Sequence, residues 1–206
     1  MKKAFTALCC TALLALCLTG CAPTAQPAPS SAGKAEAVVQ IVSDTTGQTP
    51  DDMDSGSGEA TLRGLNADGQ EVWTHAFTIE ALTELPPVSP AALTTDRAYV
   101  EVAGTLYALS LSSGEVLWSL DDVGALMSAP LVGDDGTVYL SGYYGPDLLA
   151  VSKDGGELWR VNGVDTDYYW STGLSFEGNA LKVTYASMEG KDPDYLLFDT
   201  SGNQLP

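Results

Sequence analysis

Apolar and polar residues alternate in short segments along most of the chain, and each segment ends at a turn of small or polar residues. The clearest example is residues 105–118, TLYALSLSSGEVLW. Its first half alternates up to Leu111, the Ser-Ser-Gly at 112–114 makes a turn, and the returning half ends on Trp118. Alternation with period two on both sides of a glycine turn predicts a β-hairpin.

This hairpin pattern recurs along the chain. GLNADGQEVW at 64–73 and AVSKDGGELW at 150–159 repeat it closely, whereas LFDTSGNQLP at 197–206 repeats it weakly. Successive turn glycines are 45, 41 and 47 residues apart, at Gly69, Gly114, Gly155 and Gly202. A period in this range indicates a repeat architecture.

Each repeat supplies short strand candidates around its hairpin. In the first repeat these are 37–42, 59–66 and 70–77, with a long polar loop predicted over 43–58. The later repeats offer 91–94, 98–102, 105–111 and 115–120; then 129–132, 137–142, 148–152 and 157–161; then 171–176, 180–186, 195–199 and a stub at 204–205. Four short strands per unit are typical of a propeller blade. We therefore expect an all-β fold of β-propeller-type repeats, with about four four-stranded blades in a complete or incomplete ring.

Residues 108–118 resemble the tryptophan-docking motif of the pyrroloquinoline-quinone-type β-propeller repeats, Ala-x-Asp-x-x-Thr-Gly-x-x-x-Trp. The segment keeps the alanine, glycine and tryptophan, and it has Ser110 and Ser113 where aspartate and threonine are usual. In the last copy Pro206 stands where the tryptophan belongs. The resemblance implies that each tryptophan covers the gap to a neighbouring blade. The residues it marks as structural are Gly69, Trp73, Gly114, Trp118, Gly155, Trp159 and Gly202.

The quinone-dependent enzymes of this repeat class use a larger ring, a cysteine pair and a calcium ion, and the sequence does not match this pattern. It has about four repeats, and no cysteine follows Cys21. The acidic clusters do not have calcium-loop spacing, because Arg63 falls where a loop beginning at Asp52 needs its last acidic ligand. The only histidine, His75, has no convincing nucleophile and acid partner. We expect no cofactor, no metal site, no catalytic residue and no enzymatic activity.

The first residues have the pattern of an export signal. A short basic start, MKK, precedes an apolar run over 4–18 and then Leu-Thr-Gly-Cys. This sequence resembles a bacterial lipobox, which implies cleavage before Cys21 and lipidation of its thiol. We expect a signal peptide over 1–20, a Pro/Ala/Ser tether over 21–35 and the repeat domain over 36–206. The lipid would be the only membrane attachment, on the extracytoplasmic face of a bacterial membrane in the cell envelope.

Charge restricts the partners. The chain has 27 acidic and 9 basic residues, a formal net charge of −18. Such an excess argues against nucleic acid, whose phosphates repel an acidic surface.

The long connections predict a candidate binding surface. In a four-stranded meander, connections between the second and third strands emerge at the same end as connections between blades. Aromatic and acidic residues are concentrated there, and exposed aromatic residues are typical of recognition surfaces. The alternative is that these aromatics fill a junction between blades. The candidates are Tyr143, Tyr144, Asp165, Asp167, Tyr168, Tyr169 and Trp170.

These features favour a surface lipoprotein that acts as a protein-binding or assembly scaffold. In anchor and repeats, though not in length, the chain resembles the lipoprotein scaffold of outer-membrane protein insertion. The alternative is a carbohydrate-binding surface module that stacks sugars on the aromatic residues.

The two ends of the repeat array are incomplete, which leaves three arrangements open. In the first, the segment 37–42 pairs with the fourth repeat and closes a small ring. In the second, two chains join as a twofold homodimer, and in the third the domain is a truncated relic of low stability.

Replacing the anchor cysteine tests the lipoprotein prediction. Cys21→Ser removes the thiol that would carry the lipid, so we expect the protein in the soluble fraction or unprocessed in the membrane. Fractionation and mass spectrometry of the exported chain measure both. Membrane retention of a normally processed Cys21→Ser protein would contradict the prediction.

Overall fold

The computed structural model of the chain describes residues 37–47, 56–82, 87–143, 147–163, 170–186 and 194–206. These all fall within the unit Lys34–Pro206. In the described ranges every regular element is a β-strand, and none contains a helix long and apolar enough to span a membrane.

The strands form four antiparallel sheets, each a meander in chain order. Sheet 1 contains β1 (Gln40–Gly47), β2 (Gly56–Leu65) and β3 (Glu71–Leu82). Sheet 2 contains β4 (Ala92–Leu93), β5 (Arg97–Val102), β6 (Thr105–Ser110) and β7 (Val116–Leu120). Sheet 3 contains β8 (Leu131–Val132), β9 (Val138–Leu140), β10 (Leu148–Val151) and β11 (Glu157–Val161). Sheet 4 contains β12 (Trp170–Glu177), β13 (Ala180–Ala186) and β14 (Asp194–Phe198).

The predicted all-β fold of propeller-type repeats is confirmed, with one sheet for each repeat. Sheets 2 and 3 have four strands each, close to the predicted positions. Sheet 4 has three, and its predicted stub is a single bridge between Phe198 and Gln204.

The predicted loop over 43–58 is wrong, because β1 continues to Gly47 and β2 already begins at Gly56. The polar residues at 43–47 belong to β1 and are exposed on both faces of the strand, and Asp44 lies opposite Thr61 and forms a 2.6 Å ion pair with Arg63. Because neither face is buried there, this part of the strand has no alternating apolar pattern.

Three apolar clusters join the sheets in series. The first packs residues such as Leu62 and Phe77 of sheet 1 against Val100 of sheet 2. The second and third join sheet 2 to sheet 3 and sheet 3 to sheet 4. The two middle sheets are thus covered on both faces, which explains why β5 and β9 are largely apolar rather than alternating.

Sheets 1 and 4 do not meet in the described part of the chain. No apolar cluster there contains residues of both, and no strand of one pairs with a strand of the other. Closure of a ring by pairing of residues 37–42 with the fourth repeat was one of the three arrangements left open; residues 40–42 belong to β1, which pairs with β2. This arrangement of the described residues is an open array of four blades.

A tryptophan on the outermost strand of each of the first three sheets contacts the hairpin turn of the next sheet. The indole N–H of Trp73 donates to the Leu111 carbonyl at 2.9 Å, that of Trp118 to the Lys153 carbonyl at 2.9 Å, and that of Trp159 to the Thr200 carbonyl at 3.1 Å. Each ring lies on the turn glycine beside that carbonyl. A Cβ at those glycines would stand 2.5, 2.8 and 2.9 Å from the indole, at Gly114, Gly155 and Gly202 respectively.

The turn of the first repeat has the same form without an indole on it. Gly69 has a φ of +76°, and its N–H donates to the Asn66 carbonyl, as the Gly155 N–H does to Ser152. Nothing lies within 4 Å of a Cβ built at Gly69. The two glycines therefore share a backbone conformation and differ in whether a tryptophan covers them.

Substituting alanine at Gly69 and at Gly155 separates the two reasons for glycine in these turns, namely the left-handed backbone and the close approach of an indole. Both variants place a Cβ on left-handed backbone, which costs about 1–2 kcal/mol. Gly155→Ala also displaces the Trp118 ring, so we expect it to lose about 1–3 kcal/mol more than Gly69→Ala. Urea denaturation of the two variants measures the difference. Equal losses would show that the docked indole contributes nothing at that turn.

Candidate binding surface

The connection between sheets 2 and 3, residues 121–130, lies at the end of the array that carries the β5–β6 turn, and we call this the loop end. There this connection contacts two neighbouring turns. The Val123 N–H donates to the Gly104 carbonyl at 3.0 Å, and the Tyr143 N–H donates to the Ala125 carbonyl at 2.7 Å. The opposite end carries the glycine turns that hold the tryptophans. The two ends therefore differ in what they offer a partner.

Two candidate aromatic residues meet at the loop end. Tyr143 follows β9 of sheet 3, and Trp170 begins β12 of sheet 4. Their ring centroids are 5.2 Å apart with an interplanar angle of 34°, within the range of attractive aromatic pairs. Both side chains are half-buried. The pair thus links two sheets and still presents ring surface to solvent.

The remaining candidates lie outside the described residues. They are Tyr144, Asp165, Asp167, Tyr168 and Tyr169.

The loop end also rests on a buried carboxylate. Glu101, in β5, is only 1% exposed. One carboxylate oxygen accepts from the Gly104 N–H at 2.5 Å, and the other accepts from the Leu126 N–H at 3.2 Å. Burial raises the pKa of Glu101 to about 7, against the opposing effect of these two hydrogen bonds. The side chain therefore ties the connection between sheets 2 and 3 to the β5–β6 turn.

Sequence reasoning missed Glu101. The available signal was a single acidic residue in the otherwise apolar end of β5, just before the turn at Ala103 and Gly104. An acid in such a strand needs a buried polar partner. Its partner at Leu126 is 25 residues away, so no local pattern shows it.

A pocket of about 350 Å³ lies between sheets 1 and 2, and its lining includes Leu126, whose N–H donates to the Glu101 carboxylate. Its walls include Ile41 and Ser43 of β1, the segment 88–91, and Leu126 with Met127. Glu101 fixes two of these walls, since its backbone N–H donates to the Ser89 Oγ at 2.9 Å and its carboxylate holds Leu126. The lining is mainly apolar.

The described residues do not assemble obvious reaction chemistry. They contain no group of three or more His, Cys, Asp or Glu side chains that could hold a metal ion. His75 lies in β3, and its ring centroid is 4.6 Å from that of Phe77. Such a contact is a packing contact.

Comparison with known proteins agrees with the fold. Residues 58–203 match the family model described as outer membrane protein assembly factor BamB. No curated protein matches the chain significantly.

Solved structures share the architecture at low identity. BamB from Moraxella catarrhalis superposes with a TM-score of 0.51 at 23% identity, over 83% of this chain and 56% of that one. A protein of unknown function from Bacteroides caccae gives a TM-score of 0.49 at 14% identity, over 79% of this chain and 67% of that one. The chain thus spans little more than half the length of the BamB structure that it matches. At 23% identity the likeness to the BamB structure shows the fold alone.

The Glu101 carboxyl predicts a pH dependence of stability. Its pKa rises from 4.5 to about 7 on folding, so the folded state binds more protons in this range. The free energy of unfolding should therefore fall as pH rises from about 4.5 through about 7, by up to about 3 kcal/mol from this group. Backbone and side-chain hydrogen bonds from Thr137 lower the pKa of Asp135, so that carboxylate stays ionised throughout the window.

Glu101→Gln removes this titration and serves as the test. Urea denaturation at about pH 5 and about pH 8 should show a smaller pH difference for Glu101→Gln than for the unsubstituted protein. The surface acids titrate in both proteins, so the difference between them isolates position 101. The same pH difference in both would contradict the assignment.

Proposed function

We propose, because the chain belongs to the family of the outer membrane protein assembly factor BamB, that it is a protein-binding scaffold of the bacterial cell envelope. In this proposal a lipid on Cys21 attaches it to the membrane, and the loop end carries the binding surface. The scaffold itself performs no chemical reaction.

The aromatic pair of Tyr143 and Trp170 is the observation that carries this proposal. The hairpin turns at the opposite end are occupied within the chain, because Gly114, Gly155 and Gly202 each lie under an indole. At the loop end, two aromatic rings meet across sheets 3 and 4 and remain half-exposed. Aromatic residues with partly exposed faces are over-represented among the residues that dominate binding energy.

The chemistry of the described residues supports a non-enzymatic role. Glu101 is the acid with a strongly raised pKa, yet both of its oxygens accept backbone hydrogen bonds beneath a connection. His75 packs against Phe77. Neither is presented to a substrate.

The net charge of −18 favours a neutral or basic partner. An acidic surface attracts a basic protein and repels an acidic one, an effect that salt weakens. The partner surface should therefore include lysine or arginine.

A carbohydrate-binding surface module is the alternative function, and the same ring pair favours it. Sugars stack on aromatic faces, and Tyr143 and Trp170 lie close enough to form a continuous platform. A glycan array with the exported chain distinguishes the two, because a protein scaffold gives no glycan signal.

Substitution of Tyr143 tests the binding surface. We expect Tyr143→Ala to abolish capture of the envelope partner in a cross-linking pull-down from membranes, with the melting temperature nearly unchanged. Phe176→Ala is the matched control, since Phe176 is an aromatic residue, 41% exposed, that lies on β12 near the opposite end. Capture should survive in this control.

Two results would contradict the proposal. Equal capture by Tyr143→Ala and the unsubstituted protein would exclude this surface. A drop of several degrees in melting temperature with capture intact would assign the ring pair to the junction between sheets.

A further inference from the structure

Among the described residues, no strand occupies the inner edge of sheet 1, a position that a short strand fills in both middle sheets. In sheet 2 the two-residue strand β4 pairs with β5, and in sheet 3 the two-residue strand β8 pairs with β9. β1 holds the position equivalent to β5 and β9, and no described strand pairs with its inner edge. Such an edge presents N–H and C=O groups that can pair with another strand.

The edge strand β1 contributes to the lining of the 350 Å³ pocket. Ile41 and Ser43 of β1 line it from sheet 1, and the segment 88–91 that leads into β4 lines it from sheet 2. Side chains on neighbouring strands point the same way when they are directly opposite. Alternate side chains of a strand added to β1 would therefore enter the pocket, against Leu126 and Met127.

We propose that β1 and this pocket form a strand-acceptor site for an extended segment of a partner protein. Main-chain hydrogen bonds to β1 supply affinity, and a large apolar side chain in the pocket supplies specificity. The proposal rests on the scaffold function proposed above and specifies the form of one segment that the scaffold binds.

Charge determines the other side of the bound strand. The opposite face of β1 carries Asp44, which forms an ion pair with Arg63 of β2, and then Thr46, which lies opposite the exposed Glu59 of β2. Residues of the added strand that alternate with the apolar ones would lie along this face. Lysine or arginine at those positions complements Glu59 and the net charge of −18.

The chain's own upstream residues are poorly suited to this site. Both β4 and β8 precede the strand with which they pair, so an internal equivalent would come from before Ala37. Residues 22–36, APTAQPAPSSAGKAE, contain three prolines and no apolar side chain larger than proline. Proline cannot donate to a ladder, and these side chains are too small to fill the pocket. A second copy of the chain would bring the same segment.

Titration with a defined peptide tests the site. The probe is a labelled, capped peptide in which lysines alternate with valine, phenylalanine and valine, and fluorescence anisotropy follows its binding to the full exported chain at physiological salt. We expect saturable binding, weakened at least about tenfold when the amides that pair with β1 are N-methylated. A peptide with alanines in place of the apolar residues has the same charge as the probe, and we expect it to bind as weakly as the N-methylated peptide.

Substitutions on the protein locate the binding. Met127→Trp fills part of the pocket from an exposed position, so we expect it to weaken peptide binding at least about tenfold. Leu158→Trp is the matched control, since Leu158 is also exposed and lies on the outer strand β11. It should bind like the unsubstituted protein.

Each contrary result overturns the strand-acceptor site. Absence of peptide binding excludes it, and unchanged binding of the N-methylated peptide would show that the pocket takes an apolar group without strand pairing. A mass of twice the chain in light scattering, lost in Met127→Trp, would assign the pocket to a second copy. Tyr143→Ala should bind the peptide normally, because Tyr143 belongs to the other proposed surface. Loss of the strand-acceptor site therefore does not contradict the scaffold surface at Tyr143, and loss of that surface does not contradict the strand-acceptor site.

Discussion

The contact between a tryptophan of one sheet and a turn glycine of the next is the interaction on which the arrangement of the sheets depends. Apolar clusters fill the spaces between sheets, but hydrophobic attraction has no direction. The indole N–H supplies direction, since it donates to one backbone carbonyl in the adjoining turn. At Lys153, in the hairpin turn of sheet 3, the carbonyl also accepts from the Arg97 guanidinium, so two side chains of sheet 2 share a single acceptor. Repeating this contact three times fixes each blade relative to the previous one.

The features of the fold that could be predicted from the sequence are those that recur with each contact between a tryptophan and a turn glycine. A glycine followed four residues later by a tryptophan identifies the first three hairpins, and the strands of sheets 2 and 3 follow from it because both of their faces are buried. Sheet 1 was harder to predict at β1, where residues 43–47 are exposed on both faces of the strand and polar residues such as Thr45 and Thr46 resemble a loop. Local pattern contains no information about which face a neighbouring blade will cover.

The candidate site depends more on contacts between distant residues. The aromatic content of the long connections was visible, and the structure brings Tyr143 and Trp170 together from two different sheets. Glu101 was missed because its carboxylate accepts a hydrogen bond from Leu126, which lies in a connection two strands further along the chain. The pocket was missed for the same reason, since its lining comes from sheet 1, from sheet 2 and from the connection between sheets 2 and 3.

The outer flanks of the two terminal sheets have the composition of capping surfaces rather than of blade junctions. Sheet 1 exposes Asp44 beside Arg63, and sheet 4 pairs Lys182 with Glu177 at 2.8 Å. Lys182 also lies 4.0 Å from the ring centre of Tyr195. Polar outer faces are what terminal repeats of open arrays need for solubility. Joining two copies through these flanks would remove both ion pairs from water, and desolvation of such pairs offsets much of the attraction gained.

In sheet 1 it is therefore the inner edge, and not the outer flank, that is suited to pair with another segment. The flank is solvated and paired, whereas the edge lies beside an apolar pocket whose walls are already held by backbone hydrogen bonds through Glu101 and Ser89. Preformed walls reduce the ordering that a binding segment must impose, and this favours association. The same carboxylate that destabilises the domain by its burial thus positions the pocket, because its two oxygens and its backbone N–H connect the segment 88–91, the β5–β6 turn and Leu126.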